Sequence, residues 1–442
     1  MRATAEGLIL DHRATILKLV TASLWALLAS AILVESDVYR YVTLAMVAFV
    51  AIYHRRELTQ VSYDWLALLC YGWAIYVTIR FSFGIVLYDE KGASEWLYIF
   101  PVFFPASGAA LYLTRNHLYL ACLILLAAGL IGLMATLDVT QVLGGVRNPP
   151  LFHKNPIHAG VGSGMLFLSA VFLLSYATET GRLSTRWKWP TMALCSATAL
   201  LSLLAMLGAQ SKGVWLALAC TLAFSGLLCL AHIPGRWRVV VLSGLTIAAV
   251  IAAVSASSVV TQVAGTTITA TERLTSAVVS TNLSEAMQKA IEDPETPEAM
   301  RERLMIWSNA LELFHTAPFF GRGNLWLQDW YKTTYADVGY TLLHNGFLEI
   351  VVRHGLLGLA FLGIFMVAAL QRLLAARRQG LIATSTLAYM LTITVFFLGT
   401  IATNSNNRLA IGESFFILAG GAVFAVTLLL RQSAASQSQA CE

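Results

Sequence analysis

Charge is what this chain has least of. Of its 442 residues 12% are Asp, Glu, Lys or Arg, whereas 57% are hydrophobic. A soluble domain carries about twice that share of charge. Apolar runs of about 20 residues recur from end to end, each long enough to cross a bilayer as a helix, so a single water-soluble core is excluded. Cysteine is almost as scarce. Five of the six (Cys70, Cys122, Cys195, Cys220 and Cys229) lie within apolar runs and Cys441 lies in the tail, which excludes a disulfide framework in the one long polar segment. A cleavable signal peptide is not expected. Arg2, Arg13 and Lys18 precede a first run long enough to span and to stay as an anchor. The net charge of +5 means little until it is sorted by membrane side, and no nucleic-acid partner is expected.

What is present is the pattern of an all-α polytopic membrane protein with about twelve transmembrane helices. The spans fall near 16–34, 38–54, 62–80, 95–113, 117–137, 157–177, 189–208, 212–231, 238–257, 346–371, 380–402 and 410–430. Pro101 and Pro105 are expected to kink the fourth. The chain divides into residues 1–256 (spans one to nine), a polar loop over 257–345 carrying an amphipathic helix, and 346–442 (spans ten to twelve and a tail). Lys and Arg in short connections stay cytoplasmic. Arg55, Arg56, Arg115, Arg182, Arg186, Lys188, Arg236, Arg238, Arg372, Arg377, Arg378 and Arg431 sort to one side with the N-terminal basics. That side is therefore read as cytoplasmic, with both termini inside and the long loop outside.

Arg80, Arg147, Lys154, Lys212 and Arg408 break the rule, because they fall at outer span ends. A charge at mid-bilayer costs roughly 2.5–3.5 kcal/mol on insertion scales, and less near the interface. Glu349 can serve Arg353 one helical turn on, but no acid lies between Asp138 and Glu179, around Arg147 and Lys154. Many outer basics among few acids point to an anionic ligand such as a phosphate or diphosphate. The plainer alternative is snorkelling to lipid headgroups.

The stretch GGVRNPPLFHKNPIHAG (144–160) breaks helicity with three prolines and holds Arg147, His153, Lys154, Asn155 and His158. The spacing of the two histidines matches no standard metal-ligand signature. Gln210-Ser211-Lys212-Gly213 is a tight outer turn. The Ser/Thr/Val-rich run over 255–281 is weakly patterned and reads as extended or mobile, and Asn282-Leu283-Ser284 fits a glycosylation acceptor only formally. Pro294 and Pro297 introduce a helix over about 297–315. Its apolar stripe is Met300, Leu304, Trp307, Leu311 and Phe314. Arg303 lies at the edge of that stripe and Arg301 further round, so Arg303 is the better candidate to face a site beneath the helix. Pro318 and the turn Gly321-Arg322-Gly323-Asn324 end it. His344-Asn345-Gly346 then opens span ten, and His344 is the residue suited to proton transfer near neutral pH. A structural histidine bonded to a loop carbonyl is its alternative.

In this order the pieces resemble the O-antigen ligase / O-antigen polymerase superfamily of bacterial surface-polysaccharide enzymes. The resemblance rests on Ser211-Lys212-Gly213, RLMIW (303–307), PFFGRG (318–323), and HNGFLE (344–349) followed by HGLLGL (354–359). KNPIHAG (154–160) looks more like the ligases than the polymerases. Two positions depart. Lys212 stands where Arg is more usual, which gives up a bidentate fork for a point charge, and Arg353 stands where an acid is common. The resemblance implies a GT-C-like fold. It implies transfer of a glycan from undecaprenyl diphosphate to lipid A–core, completing lipopolysaccharide at the periplasmic face of the bacterial inner membrane, among membrane lipids and with no cofactor, metal or nucleotide sugar. His344 would be the catalytic base or orienter, and Arg80, Arg147, Lys212 and Arg303 would hold the departing diphosphate. Lys154, Asn155, Arg322 and Asn345 are secondary candidates. The outer segments carry no Asp-x-Asp motif, in keeping with that chemistry.

An O-antigen polymerase or a protein O-oligosaccharyltransferase would differ only in acceptor. A transporter of an anionic solute or lipid would show charges near mid-bilayer and often an internal repeat. No clear repeat is evident, and the unpaired basics gather at one face, which favours the enzyme.

Overall fold

A computed structural model describes residues 2–92, 95–232, 261–339 and 341–441. Every regular element among them is helical, and one isolated bridge joins Val34 to Phe152. The helices are α1 (Arg2–Leu28), α2 (Val38–Tyr53), α3 (Arg55–Ser62), α4 (Trp65–Tyr88), α5 (Phe104–Thr114), α6 (Leu118–Thr136), α7 (Val139–Leu143), α8 (Pro156–Glu179), α9 (Lys188–Ala209) and α10 (Lys212–His232). There follow α11 (261–280), α12 (Leu283–Glu292), α13 (Glu298–Thr316), α14 (Trp326–Trp330), α15 (Gly346–Arg378), α16 (Thr384–Thr403) and α17 (Ala410–Cys441). Eight helical segments among the described residues are long and apolar enough to cross a membrane, and α2 and the 212–228 part of α10 are shorter apolar helices. The chain is an all-α polytopic membrane protein. The ninth expected span, 238–257, lies outside the described residues.

Local chemistry explains most helix starts. The Asp64 side chain accepts from the Leu66 amide at 3.0 Å to begin α4, and Asn155 accepts from Ile157 at 2.8 Å before Pro156 opens α8. The expected proline kink is present. Residues Glu95–Phe103 form a 3-10 helix containing Pro101, and the α-helix resumes with Pro105 in its first turn. Two apolar clusters hold the bundle. One is built on Leu28, Tyr39, Leu66 and Phe424, the other on Leu126, Met165, Phe396 and Phe397.

One expectation needs correction. The run read as extended or mobile is helical over its described part, 261–280. Threonine hydroxyls there bond back to carbonyls four residues earlier, as from Thr271 to Thr267 at 2.7 Å, and Leu274 packs with Met287, Ile291 and Leu304. Packing outweighs the weak helix propensity of β-branched residues. Asn282 caps α12, accepting from the Glu285 amide at 2.9 Å, so its place before Leu283-Ser284 has a helix-start explanation. The tenth span is interrupted near its start. At Gly355 (φ 62°, ψ −155°) α15 breaks, and a Cβ there would lie 2.5 Å from the Phe319 carbonyl.

The bundle has two chemically distinct ends. At one, Arg372 and Arg431 converge on the buried carboxylate of Asp64, and Glu179 accepts from the Thr384 and Ser385 amides. Arg55, Arg56, Arg182, Lys188, Arg377 and Arg378, sorted together on charge, flank these helix ends. At the other end lie the starts of α10, α15 and α17, the end of α16, and the 261–339 segment.

Candidate active site

At this second end the connection Asn404–Arg408 is a keystone. A Cβ on Gly213 would lie 2.3 Å from the Thr403 hydroxyl, and one on Gly346 would lie 2.7 Å from Asn407 Oδ1. Glycine at both positions lets the α10 and α15 starts close on this connection. Asn404 Oδ1 then meets His344 Nδ1 at 3.3 Å. With the amide oxygen as acceptor, the proton sits on Nδ1 and the lone pair on Nε2. His344 itself is half-buried and left-handed (φ 50°), a conformation held by its surroundings. Both backbone groups of the preceding Leu343 are engaged. Its amide donates to Glu349 Oε1 at 3.1 Å, and its carbonyl accepts from Trp307 Nε1 at 3.1 Å.

Trp307 and Arg303 are one helical turn apart on α13, so the contact that docks α13 on Leu343 also brings in Arg303. The Arg303 charge acts on both His344 and Lys212. Burial holds the His344 imidazole below its ordinary pKa. The Arg303 charge lowers it further, while the Asn404 bond, Glu349 and Glu302 oppose the shift. His344 is therefore neutral near neutral pH, the state a proton acceptor needs. Arg303 is half-buried and has no ion-pair or hydrogen-bond partner among the described residues. Lys212 donates to the Thr267 hydroxyl at 2.7 Å and meets no carboxylate among the described residues. Arg147 is exposed on a loop seated against the α9–α10 turn. Asn148 donates to the Gly208 carbonyl at 2.9 Å, and Gln210 donates to the Gly145 carbonyl at 2.8 Å. Arg303 thus stands between a neutral histidine and Lys212, and neither cation pairs with a carboxylate among the described residues, an arrangement that can accept an anion.

The other expected residues are differently placed. Arg80 donates to the Phe320 and Gly321 carbonyls and to the Tyr76 hydroxyl, so the structure brings it to the 318–323 turn. Arg322 pairs with Asp329 at 3.3 Å, and Asn345 caps α15 by accepting from Phe347 and Leu348. Asn155 caps α8, and Lys154 is exposed on the same loop. His153 bonds the Ile32 carbonyl at 3.1 Å, in keeping with a structural role. Arg301 donates to the carbonyls of Asp293, Pro294 and Thr296; it turns away from His344, though onto backbone rather than solvent or a glutamate.

Sequence reading found the Glu349–Arg353 pair but missed the rest of the ion cluster under the histidine. Arg353 is fully buried, pairs with Glu349 at 2.9 Å and with Glu95, and lies 4.6 Å over the Trp326 ring. Arg408 reaches Glu349 at 3.8 Å, and Ser405 donates to it at 3.0 Å. The available signal was the polar run Asn404-Ser405-Asn406-Asn407, which is buried although it joins two apolar helices.

The fold and these residues define a multi-pass helical membrane protein with a polar, cation-bearing site at one end of the bundle. Residues 197–363 are similar to the family model described as O-Antigen ligase, in agreement with the motif resemblance. The matched segment contains Lys212, Arg303 and His344. No curated protein matches the chain.

Proposed function

We propose that the protein is an O-antigen ligase. It transfers a glycan from undecaprenyl diphosphate to lipid A–core at the periplasmic face of the inner membrane, with its termini in the cytoplasm. The observation that carries the reading is the place of Arg303, a cation without a carboxylate partner among the described residues, where its charge acts on both the neutral His344 and Lys212. In this reading Arg303 and Lys212, with Arg147 beside them, hold the diphosphate as it leaves and accumulates charge. His344 Nε2 takes the proton of the acceptor hydroxyl as the sugar–phosphate bond breaks, and a single displacement inverts the anomeric centre. Glu349 ties Leu343 and Ser405 and thereby holds His344 against Asn404. Arg80 contributes indirectly, by fastening the turn that follows α13.

Reconstitution with undecaprenyl diphosphate–glycan and purified lipid A–core tests this. Conjugate on the core is expected, and it should persist in a chelator. Lengthened donor with no core conjugate would replace the ligase by a polymerase. Activity lost to chelator and restored by a divalent cation would overturn the metal-independent step.

A further inference from the structure

The turn Pro318–Gly321 belongs by sequence to the polar 257–345 segment, yet it is built for hydrocarbon. Each of its four carbonyls has a donor. Leu356 and Leu357, whose amides are freed by the break at Gly355, bond Pro318 at 2.8 Å and Phe319 at 3.0 Å. Arg80 serves Phe320 and Gly321. Irregular backbone beside lipid is tolerable only when its polar groups are satisfied in this way.

Two helices set the height of the turn independently. Asp64 and Arg372 form an ion pair at the far end of the bundle. Sixteen residues of α4 separate Asp64 from Arg80, a rise of about 24 Å. Seventeen residues of α15 separate Arg372 from Gly355, a rise of about 26 Å. With a hydrocarbon layer of about 30 Å, the turn sits just inside the edge on the His344 side. Its side chains fit that place. Phe319 is 67% and Phe320 60% exposed, alongside Ile75, Ile79, Phe83 and Val86 on the outward face of α4, the helix that Arg80 ties to the turn.

We propose that Phe319 and Phe320 insert among the lipid acyl chains of the leaflet on the His344 side, as an anchor that fixes the C-terminal end of α13 to the membrane. Lipid is the occupant because the surface continues the lipid-facing side of α4 and the turn leaves no carbonyl unbonded. The anchor would hold Arg303 at a constant height over the bilayer, but its evidence is independent of the catalytic reading.

The full chain is reconstituted in vesicles of phosphatidylethanolamine and phosphatidylglycerol with the photo-crosslinking analogue p-benzoylphenylalanine at position 319, 320 or, as a control on the polar segment, 331. Tyr331 is 64% exposed. After illumination, mass spectrometry should find acyl-chain adducts at 319 and 320 and little at 331. Equal lipid adducts at all three positions, or chain–chain crosslinks in place of lipid adducts at 319 and 320, would overturn the anchor. The readout does not involve glycan transfer, so its failure is distinguishable from failure of the ligase reading.

Discussion

Arg353 and Arg303 lie at the same end of the bundle, yet the first is fully buried and paired with two acids, while the second is half-buried and pairs with none among the described residues. Arg353 has Glu95 and Glu349 against it, with Arg408 on the far side of Glu349 and Trp326 beneath the guanidinium. Two carboxylates and two guanidiniums neutralise one another, and the cluster locks α15 to the 3-10 segment before α5. Arg40, with Glu413, is built the same way. Arg303 and Lys212 are left as adjacent positive charges that repel each other. A fold does not recover that cost internally, so the difference separates charges that complete the structure from those the proposed function assigns to an incoming anion.

Breaking each side should have different consequences. The largest expected effect is on the chemistry. His344→Ala should lower transfer by about 10²–10⁴-fold while the protein stays in the membrane. Undiminished transfer would remove His344 from the mechanism. Next is the neutral cluster. Arg353→Ala takes the buried Glu95 carboxylate's ion-pair partner away and leaves Glu349 with Arg408 alone, and should cost about 3–5 kcal/mol, seen as a lower Tm in detergent. Adding Glu95→Gln and Glu349→Gln should recover part of the loss. A Tm equal to the parent's would show that the cluster is not structural.

Arg303→Ala should leave Tm nearly unchanged and weaken donor use. A charged hydrogen bond is worth about 1.5–3 kcal/mol, or roughly a tenfold to hundredfold rise in donor KM. Arg301→Ala, whose side chain holds loop carbonyls, should leave donor KM close to the parent's. Equal effects of the two would sink the distinction between the two faces of α13. The smallest effect is in the pH profile. In the proposed mechanism His344 works as the neutral base, and burial and Arg303 hold its pKa below the ordinary histidine value, so the rate should fall on the acid side and be level by neutral pH. Removing the Arg303 charge should move that acid limb to higher pH. An acid limb that does not move in Arg303→Ala would separate the two residues electrostatically.

Much of this site was legible residue by residue. The 4, 3, 4, 3 stripe placed Arg303 and Arg301 on different faces, and α13 runs from Glu298 to Thr316, close to the expected 297–315. Glu349 was readable as a partner of Arg353 because the two are one turn apart. Glu95 was not, because it is 258 residues from Arg353 in the chain. Asn404 was not either, since a polar connection between spans is ordinarily solvated and nothing local marks it as buried. PFFGRG and HGLLGL were visible as separate motifs. Only the structure joins them, with Pro318 and Phe319 accepting from the amides that Gly355 frees.

By itself the sequence determined the membrane class, the course of most helices and the motifs at one end of the bundle. Hydrocarbon requires each span to satisfy its own backbone, and about 20 consecutive apolar residues record that requirement locally. Which cations are neutralised and which face His344 without an acid was decided only by the tertiary structure. Pairing depends on side chains that approach across packed helices hundreds of residues apart, and no local period in the sequence encodes that approach.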